Sequence, residues 1–264
     1  MIVGELALTL AIGFVSGVLS GLFGIGGGVV TTPALRLLLQ APALVAVGTP
    51  LPVILPTAVS GALAYSRRGL NDVRAGLTIG VTGSVASVIG ALGTTLVGGR
   101  VVLIVTALVI GYTAVDMGLL ALRGRPEEEV GVLPAVSGER THHPFAGLAL
   151  LGAITGLYSG FLGLGGGFIV VPALVRWFGF DIKRAIGTSL IVVAVLAVPG
   201  SITHYLLGNI DLALAATLAL GVVPGALLGA RLTVAAREKT VRILFAVMLL
   251  VVGLILGLAE AGVL

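Results

Sequence analysis

Long stretches of this chain carry no charge at all: residues 101–115 and 243–258 run from end to end without one ionisable carboxylate, ammonium or guanidinium. Runs of this kind leave few folds open. An ordinary soluble domain carries about 25% charged residues, whereas here 10% are charged and 58% hydrophobic, with a mean hydropathy of +1.20. A chain so composed is solvated mainly by lipid. Lipid offers backbone N–H and C=O groups no partner, so only helices or a closed barrel can cross it. A barrel would alternate polar and apolar residues over segments of roughly ten. The uninterrupted runs predict an all-α, polytopic membrane protein.

The chain compares well with itself. Residues 20–35 (Ser-Gly-Leu-Phe-Gly-Ile-Gly-Gly-Gly-Val-Val-Thr-Thr-Pro-Ala-Leu) align without a gap to residues 159–174 (Ser-Gly-Phe-Leu-Gly-Leu-Gly-Gly-Gly-Phe-Ile-Val-Val-Pro-Ala-Leu), at an offset of 139. The same offset pairs Gly48-Thr49 with Gly187-Thr188, Asp72 with Asp211, and Gly90-Ala91 with Gly229-Ala230. A chance glycine cluster would not hold one register over so long a stretch. The chain therefore divides into an N-terminal repeat at 1–122, a charged linker at 123–143 and a C-terminal repeat at 144–264. Residues 1–22 lack a basic leader and run directly into the repeated motif, so they are read as mature fold and not as a cleaved signal.

Each repeat reads as five apolar segments, at about 2–22, 28–40, 43–65, 73–97 and 100–122, then 145–162, 167–178, 185–205, 211–230 and 241–259. Spanning takes about 20 residues. The second segment of each repeat is too short and reads as a re-entrant half-helix behind a glycine break. If the loops alternate sides, all of the 15 Lys and Arg but Arg36 and Arg100 fall on one side. That side is then cytoplasmic, with both termini outside. Five segments is an odd number, so the two repeats are expected to be inverted. The net charge of +4 is absorbed by these basic loops, and nucleic acid is not needed to explain it.

Inverted repeats with interrupted helices are a transporter architecture, with substrate held where the repeats meet. The interruptions are Gly24-Ile-Gly26-Gly27-Gly28 and Gly163-Leu-Gly165-Gly166-Gly167. Glycine allows the sharp turn and a close approach of backbone to ligand. A short helix after each turn would present unpaired N–H groups and a positive dipole end, a natural anion site. Thr49 and Thr188 either cap helices or donate hydroxyls to an oxyanion, with Thr31 and Ser189 as further candidates for substrate contact. Asp116 is a proton carrier or a helix-end carboxylate, and His204 an interfacial histidine or a proton relay. Asp72 and Asp211 are expected to cap helices. In the linker, His142 and His143 stand near glutamates without metal-ligand spacing.

Other chemistries find no footing. Val29 stands where a dinucleotide fingerprint requires glycine, and no Gly-Lys-Ser/Thr occurs anywhere. Cysteine is absent, which excludes disulfides and Cys-based metal sites. No cofactor or metal is expected. A membrane enzyme would need a cluster of catalytic side chains that the segments do not offer. A passive anion channel stays open as the alternative to a carrier, and so does assembly into a homo-oligomer.

The paired glycine motifs with trailing Pro-Ala-Leu, followed at fixed distance by Gly-Thr, resemble the sulfite exporter TauE/SafE family of membrane permeases over nearly the whole chain. The resemblance implies transport of small sulfur-containing anions, such as sulfite or organosulfonates, across a plasma membrane. An inside-negative potential makes export the favoured direction for an anion.

Overall fold

A computed structural model describes residues 3–97, 99–122, 144–163 and 165–260. The linker, with His142 and His143, lies outside the described residues, as does Leu164. Within them every regular element is an α-helix: α1 (Val3–Phe23), α2 (Gly28–Leu38), α3 (Ala43–Gly48), α4 (Pro50–Ser66), α5 (Val73–Val97), α6 (Gly99–Leu122), α7 (Phe145–Leu162), α8 (Gly167–Trp177), α9 (Ile182–Leu206), α10 (Leu212–Ala235) and α11 (Glu238–Glu260). Six spans are long and apolar enough to cross a membrane: α1, α3 with α4, α5, α7, α9 and α10. At 11 residues each, α2 and α8 reach only about 16 Å at 1.5 Å per residue, about half the hydrocarbon thickness.

The elements recur at the offset seen in the sequence. Residues 28–38 of α2 correspond one for one to residues 167–177 of α8, and α5 and α6 correspond to α10 and α11. One expectation needs correction. Thr49 stands at the N-cap of α4 but gives it no side-chain cap: it sits in right-handed helical geometry (φ −59°, ψ −35°), with its N–H on the Val45 carbonyl at 2.9 Å, so that α3 runs on into α4. Pro50 has no N–H to donate, so the hydrogen-bond ladder skips a rung while the apolar span Ala43–Ser66 continues. Thr188 likewise lies inside α9, which begins at Ile182 behind Asp181.

The two repeats exchange partners. The most extensive packing joins α1 to α10 and α7 to α5, while α4 meets α9 and α6 meets α11. Glycine makes the exchange close. Gly13, Gly17 and Gly21 run along α1 at four-residue spacing, and Gly152, Gly156 and Gly160 repeat the pattern on α7. A Cβ at Gly17 would collide with the Val222 backbone, and one at Gly156 with that of Gly83. This is the small-residue stripe by which helices approach closely in lipid, where van der Waals packing replaces the hydrophobic drive. The opposite faces, including Val81, Val85 and Ile89 on α5 and Leu220 on α10, are exposed, as surfaces solvated by acyl chains should be.

Candidate functional site

Both helix breaks are built on left-handed glycines. Gly24, Gly26 and Gly27 have φ of 72°, 78° and 87°, and Gly163, Gly165 and Gly166 have φ of 67°, 78° and 74°. Side chains rarely tolerate this region, so three such residues within four positions nearly require glycine. The fourth glycine of each motif, Gly28 or Gly167, is the first residue of its short helix. Gly27 and Gly166 occupy the N-cap positions, and neither helix receives a side-chain cap.

The structure brings these breaks together. A Cβ at Gly26 would meet Val193 at 2.5 Å and Ile54 at 3.1 Å. One at Gly165 would meet the same two residues, at 2.9 and 3.0 Å. Ile54 and Val193 are themselves equivalent at the repeat offset, on α4 and α9, and both are buried. A Cβ at Gly167 would run into the backbone of Gly24 and Ile25, so the start of α8 rests directly on the first break. The Ser189 hydroxyl lies 2.7 Å from the Gly24 carbonyl and 2.9 Å from that of Ile186. Its single proton is shared between them, and its place is at the hinge of the first break. Pro50 occupies the equivalent position of the other repeat.

A helix that stops inside the membrane leaves carbonyls needing donors, and other helices supply them. At the end of α1, Gly24 N–H donates to the Ser20 carbonyl at 2.7 Å, the Tyr65 hydroxyl to Gly21 at 2.9 Å, and the Thr233 hydroxyl to Leu22 at 2.8 Å. At the end of α7, Gly163 N–H serves Ser159 at 3.0 Å, and His204 Nε2 lies 3.1 Å from the Gly160 carbonyl. Asn209 donates to His204 Nδ1 at 3.3 Å, which leaves the ring proton on Nε2. His204, in the last turn of α9, is wholly buried within the protein. It does in the second repeat what Tyr65 does in the first, a role the sequence did not disclose for either.

The Gly-Thr pairs serve the same exchange between repeats. The Thr49 hydroxyl accepts the Asp211 N–H at 3.0 Å, and the Thr188 hydroxyl accepts that of Asp72 at 2.8 Å. Beside them, a Cβ on Gly48 or Gly187 would strike the Asn209 or Leu70 carbonyl. Each motif seats the turn that opens α10 or α5 of the other repeat, and neither threonine caps its own helix. The aspartates do cap, as expected. Asp211 Oδ1 accepts from Ala213 and Leu214 N–H, and Asp72 Oδ1 from Ala75 N–H, at 2.9–3.0 Å. Asp72 also pairs with Arg184 at 3.0 Å.

Thr31 turns its hydroxyl back onto the Gly27 carbonyl at 3.0 Å, at the break but within its own helix. Asp116 stands elsewhere. It pairs with Arg176, in the last turn of α8, at 2.9 Å. Together they line a cavity of about 460 Å³ with Tyr112, Tyr158 and Trp177. Among the described residues, no three His, Cys, Asp or Glu side chains gather as a metal site would require.

The model of the sulfite exporter TauE/SafE family matches residues 9–256. A probable membrane transporter protein of Bacillus subtilis, YunE, is 26% identical over 93% of this chain and 95% of its own. Another from Methanocaldococcus jannaschii is 25% identical over 94% of each, and one from Xylella fastidiosa 28% identical over 87% and 85%. No solved structure matches at a significant level. With the match running through both glycine breaks and nearly every helix, the chain belongs to the sulfite exporter TauE/SafE family.

Proposed function

We propose that this protein is a secondary transporter that carries small sulfur-containing anions, such as sulfite or organosulfonates, across the plasma membrane. The observation that supports it most is the pair of abutting helix breaks. Two short helices begin at one buried centre without side-chain caps, while the carbonyl ends beside them are tied off by Tyr65, Thr233 and His204. What remains at the centre is a surplus of donors and two positive dipole ends, which suits an anion. Its relatives bear the name of probable membrane transporters, and the sulfur chemistry follows the family's description.

The inverted relation of the repeats is part of this reading. Arg67 and Arg68 follow α4, whereas the equivalent turn after α9 has no basic residue. Arg237 follows α10, whereas Arg100 stands alone after α5. The basic ends are then cytoplasmic and both termini outside. With Ile54 and Val193 closed over the breaks, the arrangement is occluded, and rocking of α4 and α9 opens it to each side in turn. An inside-negative potential drives anions outward by about 2.3 kcal/mol per charge per 100 mV, so export needs no coupled proton.

The test is flux of radiolabelled sulfite, sulfoacetate and taurine into proteoliposomes holding the purified protein. Saturable flux of a sulfur anion, accelerated by a potential positive on the receiving side, supports the proposal. Flux that rises linearly with concentration indicates a channel, and absence of anion flux overturns the reading.

A further inference from the structure

A hydroxyl inside a membrane helix ordinarily bonds back to the carbonyl four residues before it. Thr9, Thr57, Thr78, Thr113 and Thr217 all do so here, at 2.6–2.9 Å. Ser16 and Ser20 on α1, and Thr155 and Ser159 on α7, do not. All four are fully buried, and none has a hydrogen-bond partner among the described residues. They are two pairs at the repeat offset: Ser16 answers to Thr155 and Ser20 to Ser159. The other buried hydroxyls without partners are not duplicated, since Thr32, Ser87 and Ser201 correspond to Val171, Ala226 and Ala62.

The location of the four is equally specific. A Cβ placed on Gly27, the N-cap of α2, would lie 3.8 Å from Ser20 Cβ and 3.9 Å from Ser16 Cβ. One placed on Gly166, the N-cap of α8, would lie 3.4 Å from Ser159 Cβ and 2.5 Å from the Thr155 methyl. The side chains that carry these hydroxyls thus pack beside the two N-caps that lack a side-chain cap. A buried polar group left unpaired is costly, and the cost is incurred twice, at equivalent places, beside helix ends that also offer only donors.

We infer that each half-helix start is a separate oxyanion subsite, in which Ser16 and Ser20 act with the first N–H groups of α2, and Thr155 and Ser159 with those of α8. This rests on the anion-transport reading and adds to it the residues that hold the anion and their duplication. The ligand class is a compact oxyanion whose three or more oxygens can accept from hydroxyl and backbone N–H together, as sulfite does. Two subsites meeting at one occluded centre give the anion a position to leave and a position to reach.

The test is thermal unfolding of the full-length protein in detergent, with and without sulfite, for the wild type and the paired variants Ser16→Ala with Ser20→Ala and Thr155→Val with Ser159→Ala. Without anion each variant melts at or above the wild-type temperature, because an unpaired buried hydroxyl has been removed. With sulfite, the concentration giving half of the stabilising shift rises about tenfold or more in each variant, the loss of one or two charge-assisted hydrogen bonds. Variants that keep the wild-type response overturn the inference while leaving anion transport standing. Variants that melt lower without anion assign the hydroxyls a structural role and overturn it as well. A wild type whose unfolding does not respond to sulfite overturns this inference, while the flux measurement decides the transport reading separately.

Discussion

Tyr65 and His204 stand at equivalent positions and close equivalent gaps: the phenol donates to the Gly21 carbonyl at 2.9 Å, and the imidazole to that of Gly160 at 3.1 Å. Two side chains of different chemistry reach equivalent backbone carbonyls because each helix that stops at a glycine break needs its freed carbonyls answered. What the two halves preserve is the donor, not the residue type.

Removing that donor should therefore destabilise without touching the centre. Tyr65→Phe leaves a buried carbonyl without its partner, at about 1–3 kcal/mol, read as a lower unfolding temperature in detergent. His204→Tyr should retain more stability than His204→Leu, since it can copy the first repeat. Transport by His204→Tyr should keep the wild-type pH profile. A profile that flattens would instead make His204 a proton carrier.

The shared neighbours of the two breaks yield a second test. Gly26→Ala should lose transport, because the left-handed backbone costs roughly 1–2 kcal/mol for a side chain and the new Cβ meets Val193 at 2.5 Å. Val193→Ala removes the collision but not the strain, so the double variant should recover in part. Gly165→Ala should be eased by the same Val193→Ala change, as its Cβ would meet Val193 at 2.9 Å. If Val193→Ala eases neither, the breaks do not converge on one centre.

Much of this was legible in the sequence because glycine at positive φ has few substitutes. The motifs at 24–28 and 163–167 marked the breaks, and the short segments behind them emerged as α2 and α8. The helix starts were less legible. The charges of Lys183 and Arg184 hide the start of α9 from an apolar count, yet the helix begins at Ile182 because Asp181 precedes it in extended geometry and Arg184 finds Asp72. Partner exchange was hidden too. That α1 lies on α10 is a fact about surfaces, although the four-residue glycine spacing at 13, 17 and 21 was its trace. Ser16, Ser20, Thr155 and Ser159 read as ordinary small residues of packed helices. The repeat offset matches hydroxyl with hydroxyl at both pairs, and only their missing back-bonds give that match meaning.

Inversion of the repeats makes a prediction about sidedness. The chain contains no cysteine, so single cysteines can be introduced cleanly. Arg68 and Leu207 are equivalent at the repeat offset, each in the turn after its central helix. Arg68→Cys should resist a membrane-impermeant maleimide added to intact cells and react once the membrane is opened, whereas Leu207→Cys should react from outside. Labelling of both from one side would mean parallel repeats.

Crystals grown with selenite, a heavier congener of sulfite, would test the central claim most directly, because its anomalous scattering locates the anion. The account predicts a peak at the start of α2 or α8, within hydrogen-bonding reach of the Ser16–Ser20 or Thr155–Ser159 hydroxyls. Density only beside Arg176 or along the basic turns, with none at the helix breaks, would contradict it.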